Sequence, residues 1–122
     1  MKPISLVLTG DPKSTQHCYK YACINGYLRS YLDKKCVDIK EGYQWEAKSQ
    51  YFGDPLKGKL WIVVRLFHKT KRAKDIDNYN KLLFDSLNGV VYDDDVQIVK
   101  LHLSKDYDKE NPRIEIDIYE SV

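Results

Sequence analysis

The sequence is short of cysteine, glycine and proline, and it contains no long apolar run. Its 122 residues include 3 cysteines, 6 glycines and 4 prolines. No apolar stretch approaches the roughly 20 residues that a membrane-spanning helix requires. The apolar run at residues 4–8 is also too short for the core of a signal peptide. We therefore expect a cytoplasmic protein that does not associate with membranes.

The three cysteines do not have the spacing of a zinc site. They are Cys18, Cys23 and Cys36, and no two of them form the C-x-x-C pair of the common zinc patterns. An odd number of cysteines cannot pair completely within one chain, which fits a reducing compartment. The sequence therefore predicts three free thiols.

Two widespread catalytic signatures are missing as well. The chain has no glycine-rich phosphate loop and no G-x-S-x-G nucleophile motif. What it does have is an ordinary globular composition, with 43% apolar and 31% charged residues. At this length we expect one domain that covers residues 1–122.

The apolar pattern predicts several strands and a first helix. Strands are expected at residues 4–8, 60–67, 96–103 and 114–118, and a helix at residues 38–52. The Asn25-Gly26 pair separates two tyrosine-rich runs, which is the strongest short-range signal for a β-hairpin. The hairpin tyrosines could stack on nucleic-acid bases, although cross-strand packing is their commoner use.

A second helix is predicted at residues 75–88. Its apolar face is formed by Ile76, Tyr79, Leu83 and Leu87, which recur at a period near 3.6. Asp75 is placed to cap its start, and the glycine at position 89 to end it. Together these elements predict a small single α+β domain with a mixed β-sheet and two helices packed on it.

Charge is unevenly distributed along the chain. Residues 55–74 contain seven basic residues and no acid: Lys57, Lys59, Arg65, Lys69, Lys71, Arg72 and Lys74. Six aspartates follow within residues 75–95: Asp75, Asp77, Asp85, Asp93, Asp94 and Asp95. A metal-dependent enzyme acting on a polyanion needs cations for phosphates and carboxylates for metal ions. The alternative is a solvated basic loop followed by a helix whose start favours acids.

The aspartates could form one hard-metal site. Asp75 and Asp77 stand at the mouth of the predicted helix, where both side chains can turn towards one point. Lys81 follows Asp77 by four residues and shares its face. The later aspartate triplet offers a third carboxylate, and magnesium prefers such oxygen ligands. These features favour a metal site over a solvated surface.

Three short motifs follow one another in this region: K-D-I-D-N-Y-N-K at residues 74–81, F-D-S-L at residues 84–87 and D-D-V-Q at residues 94–97. Their order resembles that of the RusA family of Holliday-junction resolvases. The family pattern is D-x-D-N, a lysine four residues later, F-D-x-L, and D-D-x-Q before an aliphatic residue. The resemblance is specific over residues 74–98 and general elsewhere, and it implies a RusA-like fold.

The resemblance also implies roles for individual residues. Asp75, Asp77 and Asp95 match the catalytic, metal-binding aspartates, and Lys81 matches the catalytic lysine. Asp85 matches a recurrent position that we interpret as structural. The basic residues expected to contact DNA are Lys69, Lys71, Arg72 and Lys74.

The implied activity is paired phosphodiester hydrolysis at four-way DNA junctions, in recombination and repair or in phage DNA processing. The implied cofactor is Mg²⁺ or Mn²⁺, and the implied assembly is a homodimer, because paired cuts need two sites at a fixed separation. Two alternatives stay open from the residues. One is a branched-DNA binding module that does not cut, and the other is a metal-dependent transferase acting on a nucleotide sugar.

Overall fold

The computed structural model describes residues 2–15, 17–72 and 75–121, apart from the side chain of Asp77. The strands of this part are β1 (Ile4–Thr9), β2 (Tyr19–Ile24), β3 (Tyr27–Leu32), β4 (Lys59–His68), β5 (Ile98–Tyr107) and β6 (Arg113–Ser121). The α-helices are α1 (Lys34–Gln50) and α2 (Lys81–Leu87), and 3₁₀ turns lie at Ile76–Tyr79 and Asp95–Gln97. No helix in the described ranges is long and apolar enough to cross a membrane.

Four strands form the main sheet, in the order β1-β6-β4-β5. The pairs β1–β6 and β6–β4 are antiparallel, whereas β4 and β5 are parallel. A parallel pair requires a crossover, and here the crossover contains α2 and both 3₁₀ turns. The order of strand, helix and strand therefore places the aspartate-rich region in one connection, and the mixed sheet with two helices confirms the predicted α+β class.

The core lies between the helices and one face of the sheet. Every second residue of β4 from Leu60 to Leu66 is buried, as the alternation of side chains along a strand requires. α1 contributes Tyr43 and Ala47, and α2 contributes Leu83 and Leu87. The predicted apolar stripe of the second helix is therefore confirmed as a core face, with Tyr79 buried and Ile76 packed at its margin.

The opposite face of the sheet carries charged side chains in ion pairs. Arg65 contacts Glu115 at 3.1 Å and Asp117 at 2.9 Å, and Arg113 contacts Glu115 and Asp108 at 2.8 Å each. Arg113, Glu115 and Asp117 alternate with the buried isoleucines of β6. This face is consequently polar, and the helices cover the other one.

The predicted helix at residues 75–88 is divided into two pieces. A 3₁₀ turn at Ile76–Tyr79 precedes α2, which begins at Lys81. The cause is a contact from outside the helix, since the backbone N–H and Oγ1 of Thr15 both donate to the carbonyl of Asn78 at 2.7 Å. α2 ends as predicted, with Gly89 just beyond it at a φ of 77°.

The other element boundaries differ by a few residues. α1 begins at Lys34 rather than at position 38, because the carbonyl of Asp33 accepts bonds from the N–H groups of Cys36 and Val37. β5 begins at Ile98 rather than at position 96, because the preceding residues form the second 3₁₀ turn. The four strands of the main sheet otherwise occupy the predicted places.

The hairpin is confirmed, but the prediction of three free thiols is wrong. Asn25 and Gly26 form the turn between β2 and β3 at φ values of 53° and 81°. Cys18, next to β2, is joined in a disulfide to Cys36 in the first turn of α1. The N–H of Asp33 donates to the carbonyl of Cys18 at 2.8 Å and brings the two segments together. Counting cysteines could not reveal this proximity.

Candidate active site

Carboxylates from α2 and from the second 3₁₀ turn meet at the centre of the candidate site. The carboxyl group of Asp95 lies within hydrogen-bonding reach of those of Asp85 and Asp94, to which it can donate when it is protonated. Burial, these two hydrogen bonds and the negative charge of both neighbours raise the pKa of Asp95 to about 6. The cluster therefore concentrates negative charge at a partly buried point.

Asp94 and Gln97 fix the turn that presents Asp95. The N–H of Val96 donates to Asp94 Oδ1 at 3.1 Å, and the N–H of Asp94 donates to Gln97 Oε1 at 2.8 Å. This reciprocal pair is a capping box. Gln97 Nε2 also donates to the carbonyls of Leu56 and Gly58 at 2.9 Å each. The glutamine that follows the aspartates therefore ties their loop to the chain before β4.

The three consecutive aspartates have three different environments. Asp93 forms an ion pair with Lys57 at 2.8 Å. Asp94 caps the 3₁₀ turn. The hydrogen bond from the N–H of Val96 is the largest cause that lowers the pKa of Asp94, and the hydrogen bond with Asp95 is the second. Asp95 reaches the carboxylate of Asp85. The geometry thus distinguishes Asp95 from its two neighbours.

Asp85 also belongs to the candidate site, although its position in the sequence predicted only a structural role. It accepts a short hydrogen bond from the hydroxyl of Tyr19, and its Oδ2 lies 3.8 Å from Lys81 Nζ. Lys81 Nζ also lies 4.6 Å from the centroid of the Tyr19 ring. Burial and the bond to Asp85 raise the pKa of Tyr19. The i,i+4 spacing of Lys81 and Asp85 was a signal for their pairing, whereas nothing local indicated Tyr19.

The two aspartates of the first motif lie at the other 3₁₀ turn. Asp75 is exposed and precedes the turn, and its side chain makes no capping hydrogen bond, contrary to the predicted cap. Its carbonyl accepts a bond from the N–H of Asn78 at 3.0 Å. The side chain of Asp77 lies outside the described structure, and so does all of Lys74. Of the predicted catalytic set, the structure brings Lys81 and Asp95 together at Asp85.

The donor set suits a hard divalent cation. Within the described ranges no group of three or more His, Cys, Asp or Glu side chains is arranged to hold a metal ion. The carboxyl groups of Asp85 and Asp95 nevertheless lie side by side, where burial and the neighbouring carboxylates raise the pKa of Asp95. Mg²⁺ and Mn²⁺ take such oxygen ligands. Asp85 and Asp95 are thus two adjacent oxygen donors of the kind that such an ion takes.

The predicted DNA-binding residues form an exposed loop after β4. Lys69, Lys71 and Arg72 are all exposed. The N–H of Lys69 donates to Asp11 Oδ1 at 2.8 Å, and Lys71 Nζ lies 5.6 Å from the centroid of the Tyr107 ring. The first contact fixes the backbone of the loop at Lys69, and the second places the ammonium group of Lys71 beside an aromatic ring.

Comparisons with known proteins identify the family of the chain. A family model described as Endodeoxyribonuclease RusA matches residues 10–119. The chain is also 50% identical over 46 residues to the uncharacterized protein YqaN of Bacillus subtilis (strain 168). That match covers 38% of this chain and 32% of YqaN, so it spans about a third of the length of that relative.

Proposed function

Because the chain belongs to the RusA family of endodeoxyribonucleases, we propose that it is a cytoplasmic, metal-dependent endonuclease that resolves four-way DNA junctions by paired phosphodiester hydrolysis. The observation that carries the proposal is the contact of Asp95 with Asp85, beside Lys81. These residues come from separate parts of the motif, and the fold brings them to one point. Such junctions arise in recombination and repair or in phage DNA processing.

The proposed reaction is the attack of water on the scissile phosphorus, which breaks the bond to the 3′ oxygen. It leaves a 5′-phosphate and a 3′-hydroxyl end. Asp75, Asp77 and Asp95 are the proposed ligands of Mg²⁺ or Mn²⁺, and the carboxyl group of Asp85 lies beside that of Asp95. When bound, the ion polarises the phosphate and lowers the pKa of the attacking water.

Lys81 is proposed to stabilise the negative charge that develops on the phosphate oxygens. Its side chain is 65% exposed, so a phosphate has access to it. Asp85 and the face of the Tyr19 ring limit where its ammonium group can lie. A charge held in place before the substrate arrives stabilises the transition state without further reorganisation.

The remaining parts of the proposal concern DNA and assembly. The exposed cations of the loop after β4, together with Lys74, are proposed to contact phosphates. A homodimer is proposed because a four-way junction presents symmetric strands, and two sites at a fixed separation can cut a pair of them.

The test is cleavage of a labelled four-way junction and of a linear duplex with matched sequence, each in Mg²⁺ and in EDTA. We expect symmetrical cuts in the junction alone, which disappear in EDTA. Junction binding without cleavage in either Mg²⁺ or Mn²⁺ would contradict the proposal and favour the binding module. Equal cleavage of both substrates would remove the junction specificity.

A further inference from the structure

The β2–β3 hairpin exposes large apolar side chains on both of its faces. Tyr21 and Tyr27 are each 68% exposed, and Leu28 is 75% exposed. The two strands pair with each other and not with the main sheet. The hairpin tyrosines beyond Tyr19 are therefore not used to build the core, and another role has to account for them.

The register of the hairpin separates its side chains into two faces. Tyr19 pairs with Leu32, Tyr21 with Ser30, and Cys23 with Leu28. Cross-strand partners point to the same side, so these residues form one face, which we call the site face. The opposite face carries Lys20, Ala22, Ile24, Tyr27, Arg29 and Tyr31.

The site face is continuous with the candidate active site. Tyr19 begins this face, where its hydroxyl meets Asp85 and its ring lies beneath Lys81. Tyr21 is the next residue on the same face, about 7 Å along the strand. A strand whose phosphate lies at Lys81 would thus have a neighbouring base within reach of the Tyr21 ring.

The hairpin is fixed to the rest of the protein at its base. The disulfide between Cys18 and Cys36 joins the residue before β2 to α1. Cys18, Cys36 and Leu82 of α2 form a small buried cluster, against which Tyr19 and Leu32 pack. An isolated two-stranded hairpin is only marginally stable in water, so these links determine where the site face lies.

The charge of the hairpin favours a nucleic acid as its partner. Residues 19–32 include Lys20 and Arg29 but no aspartate or glutamate. Lys20 forms an ion pair with Asp33 at the base, 3.5 Å away, while Arg29 is exposed. Aromatic rings among basic residues suit single-stranded DNA, because bases stack on the rings and cations attract the backbone.

On these grounds, and resting on the proposed function, we propose that the site face of the hairpin contacts the DNA, with Tyr21 stacking on an unpaired base beside the scissile phosphate. A base at the open branch point of a junction has a stacking neighbour on one side only, so it leaves its pair more readily than a base within a duplex does. The hairpin thereby selects branched DNA next to the catalytic carboxylates.

The test uses the full-length protein and a four-way junction that carries 2-aminopurine at a branch-point position. Binding and fluorescence are measured in EDTA for the wild type and for Tyr21→Ala, Tyr21→Phe and Tyr27→Ala. The last variant is a matched control, because Tyr27 has the same exposure on the opposite face. Circular dichroism and sedimentation are recorded for every variant.

We expect Tyr21→Ala to weaken junction binding by about 5- to 150-fold and to abolish the change in 2-aminopurine fluorescence. Tyr21→Phe and Tyr27→Ala should stay within about twofold of the wild type. Unaltered binding and fluorescence in Tyr21→Ala would overturn the inference, and so would an equal loss in Tyr27→Ala. Dissociation of an oligomer by Tyr21→Ala would assign the face to a second copy and also overturn it.

Failure of this inference is distinguishable from failure of the proposed function. A wild type that binds and cuts junctions, with a Tyr21→Ala variant that does both equally well, contradicts only the role of the hairpin. A wild type that neither binds nor cuts junctions contradicts both.

Discussion

Asp85 contacts three side chains that belong to different parts of the chain. Tyr19 comes from β2, Lys81 from the preceding turn of α2, and Asp95 from the second 3₁₀ turn. A carboxylate in this position can orient a cation and a second carboxylate at once. At the scale of single residues, Asp85 is therefore the side chain that links Tyr19, Lys81 and Asp95.

The first prediction concerns Tyr19. Tyr19→Phe removes the hydrogen bond to Asp85 and keeps the ring beneath Lys81. A hydrogen bond to a charged group is worth about 1.5–3 kcal/mol, so we expect kcat on a junction to fall about tenfold or more, with KM unchanged. Tyr51→Phe is the control, because its hydroxyl donates to the carbonyl of Asp54 at 2.5 Å, at the end of α1. Steady-state kinetics with full kcat in Tyr19→Phe would contradict this role.

At the scale of elements, two short connections determine how the site is assembled. The contact of Thr15 with Asn78 interrupts the helix after its first turn and fixes the segment that begins at Asp75. The bonds of Gln97 to the carbonyls of Leu56 and Gly58 fix the other segment. Both are long-range contacts, and they join segments far apart in the chain.

The disulfide provides the second prediction. It closes a loop between residues 18 positions apart, and a loop of this size stabilises a protein by about 3 kcal/mol. We expect the Cys18→Ala, Cys36→Ala double variant to lose about this much free energy of unfolding in urea. Cys23→Ser is the matched control, since Cys23 is exposed and free. Equal stability of the double variant and the control would show that the bond contributes nothing.

The basic loop provides the third prediction. If Lys69 and Lys71 contact phosphates, the double Gln variant should flatten the slope of log affinity against log salt by about 1.8. Lys48→Gln with Lys109→Gln removes the same charge from exposed positions elsewhere and should leave the slope unchanged. The two double variants are compared by measuring junction binding over a series of salt concentrations. An identical slope in both double variants would show that the loop acts only through net charge.

At the scale of the whole molecule, pH acts through a histidine in the core. His68 is 4% exposed, and its Nε2 has no hydrogen-bond partner in the described structure. Burial lowers the pKa of His68, while Asp11 acts to raise it and Lys105 to lower it. Its ring also packs edge-on against Tyr79. The folded state therefore favours the neutral imidazole.

The fourth prediction follows from that pKa. Between the unfolded value of about 6.5 and the lower folded value, the unfolded chain binds more protons, so the free energy of unfolding falls as the pH falls through this window. We expect the wild type to lose more stability between pH 7 and pH 5 than His68→Gln does. Urea unfolding at several pH values tests this. A parallel pH dependence in both proteins would contradict it.

Local patterns were sufficient for most of the fold. The Asn25-Gly26 turn, the alternation along β6 and the apolar face of α2 depend on near neighbours in the sequence, and all three are confirmed. The disulfide and the divided helix depend on contacts between distant segments, which no local pattern records. For the same reason the motif could nominate Asp95 and Lys81, but the part played by Tyr19 required the folded structure.

The most direct test of the account compares two neighbouring aspartates. Asp95 meets Asp85 in the candidate site, whereas Asp93 is paired with Lys57. In Mg²⁺, we expect Asp95→Asn to abolish cleavage of a four-way junction while binding it as tightly as the wild type does. Asp93→Asn should cleave at close to the wild-type rate. Retained cleavage by Asp95→Asn, or its loss in Asp93→Asn alone, would contradict the assignment of the active site.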